Sequence, residues 1–439
     1  MVSTYQDFIV AIVAAVLIGS MSAFAGDDPL QAMLNQIREQ DQPISVAAPS
    51  SGLASAIQSL NPDISVVIDS MVHSDDARRG IGRILEGTDG FGPVREPGGF
   101  DDGFNLREAE LFLSSTVDPY FRAYTSIVVT EDEAVLEEAV VQTTGLPYGL
   151  QLKGGKFLSE FSRSNSQHPH DWDFVDRPLV SGLIFGDGGL VEKGAQLSWL
   201  APTPFHLLLG TEVLQGENEN MFGYLGRDDS DNALRDHGGP RLWLQWAKFS
   251  PRLPGHHETQ FGLFHGYGRH QDEWDDGIND GWFDGHSRFL GTDFVYKYDA
   301  PHAYGKGDVT VQGEYMYREK DLNLKASQSS PALVGNSRLD QQDGLYLQGT
   351  YGFAPRWRAG LRWDHVGLTN RSRRPDRTTQ RFGETHRLSA MVDFSPTEFS
   401  RLRLQVNRGE YFVDGDREEV YQVFFQALFT LGAHGAHKF

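Results

Sequence analysis

The chain has 439 residues, of which 39% are hydrophobic and 12% aromatic, and it contains 48 glycines. Its 60 acidic residues outnumber its 39 basic ones, which gives a formal net charge of -21 and argues against nucleic-acid binding. The chain has no cysteine, which excludes disulfides and thiolate metal sites.

The first 25 residues have the pattern of a secretory signal peptide. Ile9 to Ile18 form an apolar run, and Ala23-Phe24-Ala25 is a small-x-small cleavage site. The run is shorter than the roughly 20 residues that a membrane-spanning helix needs. The segment before it departs from the usual pattern, because it holds Asp7 and neither Lys nor Arg. We predict a cleaved signal over 1–25, with an uncleaved anchor as the alternative.

Residues 26–60 predict one amphipathic helix and a linker, which we assign to the periplasm. Asp28-Pro29 can cap and start the helix, and its apolar residues fall at i, i+3, i+4 and i+7, namely Leu30, Met33, Leu34 and Ile37. A helix this short does not stand alone. Plugging a pore, mediating oligomerisation and packing loosely against the first strand all stay open as its role.

From residue 61 to residue 439 the sequence alternates between short connections marked by proline and long polar ones. The long ones cover about 73–100, 158–192, 216–239, 269–284, 320–340 and 367–381. Strict alternation of short and long connections is typical of an up-and-down transmembrane β-barrel. The positions of these connections predict an all-β fold, namely an antiparallel barrel of about 16 strands over 61–439.

The last predicted strand has an apolar residue at every second position: Tyr421, Val423, Phe425, Ala427, Phe429 and Leu431. The chain then ends in Phe439. A terminal phenylalanine after such a strand resembles the assembly signal of Gram-negative outer-membrane β-barrels. The resemblance implies the bacterial outer membrane as the location, lipid and lipopolysaccharide as neighbours, and insertion by the barrel assembly machinery. The alternative is a half-buried strand of a soluble, secreted β-protein.

Arginines alternate with apolar residues along the last predicted strands. Turning them toward lipid would cost ~2–4 kcal/mol each at mid-membrane, so we expect them to face inward. The predicted inner wall consists of Arg356, Arg358, Arg362, Arg387, Arg401 and Arg403.

The connection at about 158–192 follows the fifth predicted strand and carries Asp171, Asp173 and Asp176. In general porins the loop after the fifth strand folds into the lumen, where its acidic residues face an arginine cluster. The chain resembles porins in loop position and charge. This resemblance implies a passive channel for small hydrophilic solutes or ions, constricted by this loop, without enzymatic activity and with a homotrimer as a further expectation. The alternative is that these charges only solvate a water-filled interior.

Three segments, 167–178, 200–205 and 431–439, also resemble outer-membrane proteins labelled zinc-regulated TonB-dependent receptors. That resemblance implies the alternative function, a substrate-specific transporter for a metal ion such as zinc or a metal complex. Such receptors have a folded plug domain, which residues 26–60 are too short to supply.

Metal binding and catalysis have weaker support in the sequence. His168 and His170 are weak candidates for a divalent metal ion, because imidazole suits such ions but the spacing matches no defined zinc motif. We therefore predict no resident metal or other cofactor. The Gly-x-Ser-x-Gly elbow of hydrolases is also missing. An outer-membrane barrel enzyme is a minor alternative.

Overall fold

The computed structural model describes residues 62–131, 133–225, 234, 238–275 and 280–432. The predicted signal peptide, the predicted helix over 26–60 and the terminal Phe439 lie outside the described residues. Within them, no helix has the length and apolar character needed to cross a membrane.

The described chain forms one closed antiparallel sheet in which neighbours in sequence are neighbours in space, and β1 pairs with β17 to close it. The strand segments are β1 (Asp63–Asp75), β2 (Gly103–Asp118), β3 (Phe121–Val129), β4 (Ala134–Thr143), β5 (Leu150–Leu158), β6 (Val191–Leu200), β7 (His206–Leu214), β8 (Leu242–Ser250), β9 (His257–Asp275), β10 (Asp280–Tyr298), β11 (Val309–Ala326), β12 (Ser337–Ala354), β13 (Trp357–Arg373), β14 (Thr379–Arg381), β15 (Thr385–Thr397), β16 (Ser400–Val413) and β17 (Asp416–Gly432).

The short β14 pairs with β13, the same strand that β15 pairs with, so β14 and β15 are two parts of one barrel strand. The barrel therefore has sixteen strands, which confirms the predicted fold. An even number of antiparallel strands is usual for bacterial single-chain barrels.

The two faces of each strand differ as the period-two pattern predicts. In β17, Gln422 and Gln426 are buried inside the barrel, whereas Tyr421, Phe425 and Phe429 remain 43%, 49% and 47% exposed on its outer surface. An apolar band around a barrel is stable only against lipid. The band and the fold together confirm the predicted location in a bacterial outer membrane.

The wall is uneven in height. Strands β3 to β8 have 9 or 10 residues, whereas β9 to β13 have 17 to 19. The predicted long loops at 269–284 and 320–340 are therefore wrong in large part, since β9 to β12 run through most of these residues. Polar residues on the outer face end the membrane-facing pattern there, which led the sequence analysis to place loops where the strands continue.

Among the described residues, three connections on one side of the sheet contain short α-helices: α1 (Ile81–Glu86), α2 (Leu179–Phe185) and α3 (Glu219–Phe222). Their apolar side chains form one buried cluster with inward residues of the strands. Phe289 of β10 packs against Phe161 and Phe185, with ring centroids 5.0 Å apart in both pairs. At this level the barrel holds an apolar core.

The packing of α2 onto β12 requires a glycine. A Cβ on Gly344 would lie 2.5 Å from Val366 Cγ1 and 2.9 Å from Cγ2 of Val180 in α2. Contacts that short do not occur in folded proteins, so Gly344 is the place where the wall admits the helix.

Candidate functional site

The connection between β5 and β6, here called the inner loop (residues 159–190), runs inside the barrel. The side chain of Asn165 closes its neck: Nδ2 donates to the carbonyl of Ser159 at 2.9 Å, and Oδ1 accepts from the backbone N–H of Leu190 at 2.7 Å. Both ends of the loop are therefore held together at the point where it leaves the wall.

The first part of the inner loop reaches strand β11. Arg163 Nε donates to Gln312 Oε1 at 2.8 Å, and the Ser164 hydroxyl donates to Glu314 Oε1 at 3.1 Å. Strand β11 is six strands away from β5, where the loop begins. The loop thus crosses the lumen.

The acidic residues of the inner loop meet arginines of β13 and β15. Asp173 pairs with Arg358 at 3.0 Å. Asp176 pairs with Arg362 at 2.9 Å and also with Arg387. These ion pairs attach the loop to the wall opposite its origin.

Two carboxylates of the wall complete this network. Asp364 accepts from Arg362 Nε at 2.9 Å, and Asp393 pairs with Arg358 at 2.7 Å. Each arginine therefore lies between a loop carboxylate and a wall carboxylate, so the excess positive charge predicted for this wall is largely balanced.

Arginines of β16 bind loop carbonyls, and Arg403 Nη2 also lies 3.6 Å from Asp393 Oδ2. Arg403 Nη2 donates to the carbonyl of Trp172 at 2.9 Å, and Arg401 Nη1 lies 3.4 Å from the carbonyls of His170 and Trp172. The guanidinium fork suits such multiple acceptors.

Arg356 lies apart from the other five predicted arginines, which corrects its placement on the inner wall. It is exposed at the β12–β13 turn with a φ of 70, and its guanidinium lies 4.4 Å from the ring centroid of Tyr304. The turn interrupts the alternation of inward and outward side chains. The alternation that places Arg358 inside the barrel therefore does not apply to Arg356.

The charges of the loop aspartates are stabilised by this surrounding. Burial by itself would raise the pKa of Asp176, but Arg362 and Arg387 outweigh it and hold the pKa well below the usual range. Burial likewise opposes ionisation of Asp173, and Arg358 with Arg403 lowers its pKa nonetheless. Both carboxylates are ionised at neutral pH.

The histidines of the inner loop contact the wall at β2 and β4. His168 Nδ1 lies 3.1 Å from Glu137 Oε2, and its Nε2 lies 3.1 Å from Glu138 Oε2. His170 Nδ1 lies 3.0 Å from Glu110 Oε2. Burial lowers the pKa of His170, but the neighbouring carboxylates of Glu108 and Glu110 outweigh it and raise the pKa to about 9.

The sequence analysis missed these glutamates. Glu108 and Glu110 are spaced by two on β2, which puts them on one face, and that spacing was a usable signal. Glu137 and Glu138 are adjacent and would normally face opposite ways. A break in the β3–β4 register at Glu137 lets both approach His168.

The arrangement as a whole can narrow the barrel and present both signs of charge to a passing solute. Among the paired groups, Arg358 and Asp173 keep side-chain exposures of 30% and 18%, whereas Arg362 and Arg403 are at 1%. Asp171 also keeps 18%. Arg358, Asp173 and Asp171 are thus accessible, and the buried arginines anchor the loop.

No protein-family model matches the chain. Among solved structures, the barrel is similar to OprB of Pseudomonas putida, with a TM-score of 0.52 and 12% identity over 86% of this chain and 96% of that one. It is also similar to the outer membrane channel DcaP of Acinetobacter baumannii, with a TM-score of 0.50 and 11% identity over 84% and 97%. These likenesses show the outer-membrane barrel fold, and they give no support to the resemblance to TonB-dependent receptors or to metal transport.

The chain is also similar in sequence to an uncharacterized protein of Aquifex aeolicus (strain VF5), which is 39% identical over 347 residues, or 77% of this chain and 70% of that protein. An identity this high over most of both chains shows common descent, and the chain therefore belongs to the same family as the Aquifex aeolicus protein.

Proposed function

We propose that the protein is an outer-membrane channel for passive diffusion of small hydrophilic solutes or ions, constricted by the inner loop. The observation that carries the proposal is the set of ion pairs by which Asp173 and Asp176 fasten the loop across the inside of a closed barrel. A loop held this way sets a fixed diameter without a covalent step, as constrictions of channels do. DcaP, a channel, shares the fold.

The exposed charges of the constriction define the path. Arg358 lies 3.0 Å from Asp173, and both keep part of their surface accessible. Positive and negative groups at one level create a field across the path, so neither cations nor anions are strongly favoured. The proposal therefore includes weak net ion selectivity.

Planar-bilayer recordings of the purified protein under a salt gradient test this function. We expect discrete conductance steps and a small reversal potential in the wild type. Arg358→Gln should shift the preference toward cations and Asp173→Asn toward anions, because each removes one side of the field. Arg408→Gln is the matched control, since Arg408 is an exposed arginine of the barrel paired with Glu419. Absence of conductance at any voltage would overturn the proposal.

The partners we propose follow from the surface and from the chain terminus. The exposed apolar band contacts outer-membrane lipid and lipopolysaccharide, and the barrel assembly machinery reads the last strand with Phe439. Normal outer-membrane levels of Phe439→Ala would contradict the second statement. We also propose a homotrimer, which light scattering of the detergent-solubilised protein would test; a monomer would contradict it.

A further inference from the structure

Four glutamates and two histidines meet where the inner loop contacts β2 and β4. We call this group the His–Glu cluster; it consists of Glu108, Glu110, Glu137, Glu138, His168 and His170. Two triads in it could each hold a metal ion, namely Glu108–Glu110–His170 and Glu110–Glu137–His168, and the ligand atoms of each triad lie within 4.8 Å of one another.

The two triads share Glu110 and use different oxygens of it. Oε2 of Glu110 lies 3.0 Å from His170 Nδ1, whereas Oε1 lies 3.9 Å from His168 Nδ1. The two imidazole rings are stacked, with centroids 5.5 Å apart and planes inclined by 10°. A carboxylate with one oxygen toward each of two parallel histidines has the geometry of a bridge between two ions.

The remaining ligand atoms complete each triad at suitable distances. Glu137 Oε2 lies 3.1 Å from His168 Nδ1, and Glu108 Oε1 lies 4.0 Å from His170 Nδ1. A tetrahedral ion with bonds of about 2.0–2.2 Å holds its ligand atoms roughly 3.3–3.6 Å apart. Of the four separations between histidine nitrogens and carboxylate oxygens, two lie just below that range and two just above it.

The second ring nitrogen of each histidine faces a further carboxylate. His168 Nε2 lies 3.1 Å from Glu138, and His170 Nε2 lies 3.7 Å from Asp171. Metal-binding histidines usually donate their other N–H to a carboxylate, which fixes the tautomer and the ring orientation. Both histidines therefore turn Nδ1 to the triad and Nε2 to an orienting partner.

Burial and charge point in the same direction. Glu108, Glu110 and Glu138 are only 6%, 2% and 4% exposed. Within the described residues, Oε1 of Glu108 and Oε2 of Glu110 accept no hydrogen bond of normal geometry. Buried carboxylates need compensation. Two protonated imidazoles would bring two positive charges to the four carboxylates of the cluster, whereas two divalent cations would bring four.

A third triad, His73–Asp75–Asp102, lacks this design. The Nε2 atom of His73 lies 3.7 Å from Asp75 and 3.3 Å from Gln422 Nε2, and Nδ1 lies 3.4 Å from the carbonyl of Asp101. Nδ1 thus faces a backbone carbonyl, Nε2 lies closer to an amide nitrogen than to the carboxylate of the triad, and Asp102 is exposed. This triad serves as a control.

We propose that the His–Glu cluster binds two divalent transition-metal ions of the Zn²⁺ class, bridged by Glu110. One ion is held by His170 and Glu108, the other by His168 and Glu137. Imidazole with carboxylate is a donor set suited to such ions. The ions fasten the inner loop to β2 and β4, while Asp173 and Asp176 fasten it to the wall formed by β13 and β15.

Calorimetric titration of the metal-stripped, detergent-solubilised protein with Zn²⁺ tests the site. We expect two ions per barrel, with Mg²⁺ giving no comparable binding. Glu110→Gln should abolish binding of both ions, because the bridge serves both. Asp102→Asn is the matched control and should leave the stoichiometry at two. A single ion, no saturable binding, or two ions bound by Glu110→Gln would overturn the proposal.

A second variant separates a ligand from a residue that only orients one. Glu138→Gln should keep two ions but weaken the affinity for one of them by about 10–100-fold, since Glu138 orients His168. Visible absorption of the Co²⁺-loaded protein reports the same sites and should lose its bands in Glu110→Gln. Unchanged bands in that variant would also overturn the proposal. Heat-modifiable migration of each variant shows that the barrel is folded, and neither measurement depends on ion flow through the channel.

Discussion

Asp176 ties the inner loop to three strands of the wall. It pairs with Arg362 of β13 and with Arg387 of β15, and it accepts from Gln405 of β16 at 2.6 Å. Both arginines are buried and also pair with Asp364, so Asp176 supplies the second of the two carboxylates that compensate their charges.

We expect Asp176→Asn to destabilise the barrel on the order of 3 kcal/mol, because it leaves two buried guanidinium groups with too little negative charge. Urea unfolding in lipid vesicles, followed by tryptophan fluorescence, measures the change. Asp414→Asn is the control: Asp414 also pairs with an arginine, Arg79 at 2.6 Å, but its side chain is 71% exposed. Exposed pairs contribute little, so equal effects of the two variants would contradict the prediction.

The same residue predicts a pH dependence. The pKa of Asp176 is lowered in the folded protein, so its contribution is fully present above the unfolded value of about 3.9 and is lost as the pH falls below that toward the folded value. The stability difference between wild type and Asp176→Asn should therefore be equal at pH 7 and pH 5 and should shrink below about pH 3.9. A difference that already shrinks between pH 7 and pH 5 would show that other groups control the attachment.

At the scale of elements, helix α2 fixes the position of the inner loop by packing on β11, β12 and β13. The helix has seven residues, Leu179–Phe185, and all of them except Gly182 are buried. The backbone N–H of Leu179 donates to Asp364 Oδ1 at 2.9 Å, which joins the start of the helix to the arginine network. Apolar packing and ion pairing thus hold the same segment.

Gly344→Val should separate α2 from β12, because the added side chain would overlap with Val180 and Val366. We expect a loss of about 1–3 kcal/mol from overpacking and a higher or less steady single-channel conductance. Gly349→Val in the same strand is the control, since a Cβ there would meet nothing nearer than 3.7 Å. Unchanged stability and conductance of Gly344→Val would show that α2 does not set the constriction.

At the scale of the whole molecule, the part of the barrel wall formed by β9 to β13 is taller than the bilayer requires. A transmembrane strand needs about 9–11 residues, and β9 to β13 have 17 to 19. The excess stands on the side of the long connections, opposite the short turns. We therefore expect the taller end of the barrel to face the medium.

Cysteine labelling can test this orientation cleanly because the chain has no cysteine of its own. Asp321→Cys, at an exposed position on β11, should react with a membrane-impermeant maleimide in intact cells. His256→Cys, at the exposed β8–β9 turn, should react only after the outer membrane is opened. The reverse pattern would invert the assignment of the two ends.

The sequence by itself determined the features that depend on local alternation. The face of the sheet on which Arg387, Arg403 and Phe425 lie follows from the period of two along each strand. A shift of the strand register by one residue would be costly, because one side of the wall contacts lipid. The count of connections likewise determined the barrel, and its loop after the fifth strand followed from the resemblance to porins. These features need no knowledge of which strands face each other across the lumen.

Only the tertiary structure decided what meets inside. His168 and Glu110 are 58 positions apart in the sequence, and Glu137 joins them because of a register break that alternation does not encode. Inward phenylalanines such as Phe289 look like defects in a polar inner face until α2 covers them. Closure of the barrel sets these contacts, because it fixes which residues face each other across the lumen. The hydropathy pattern describes only neighbours along one strand, so it cannot predict those distances.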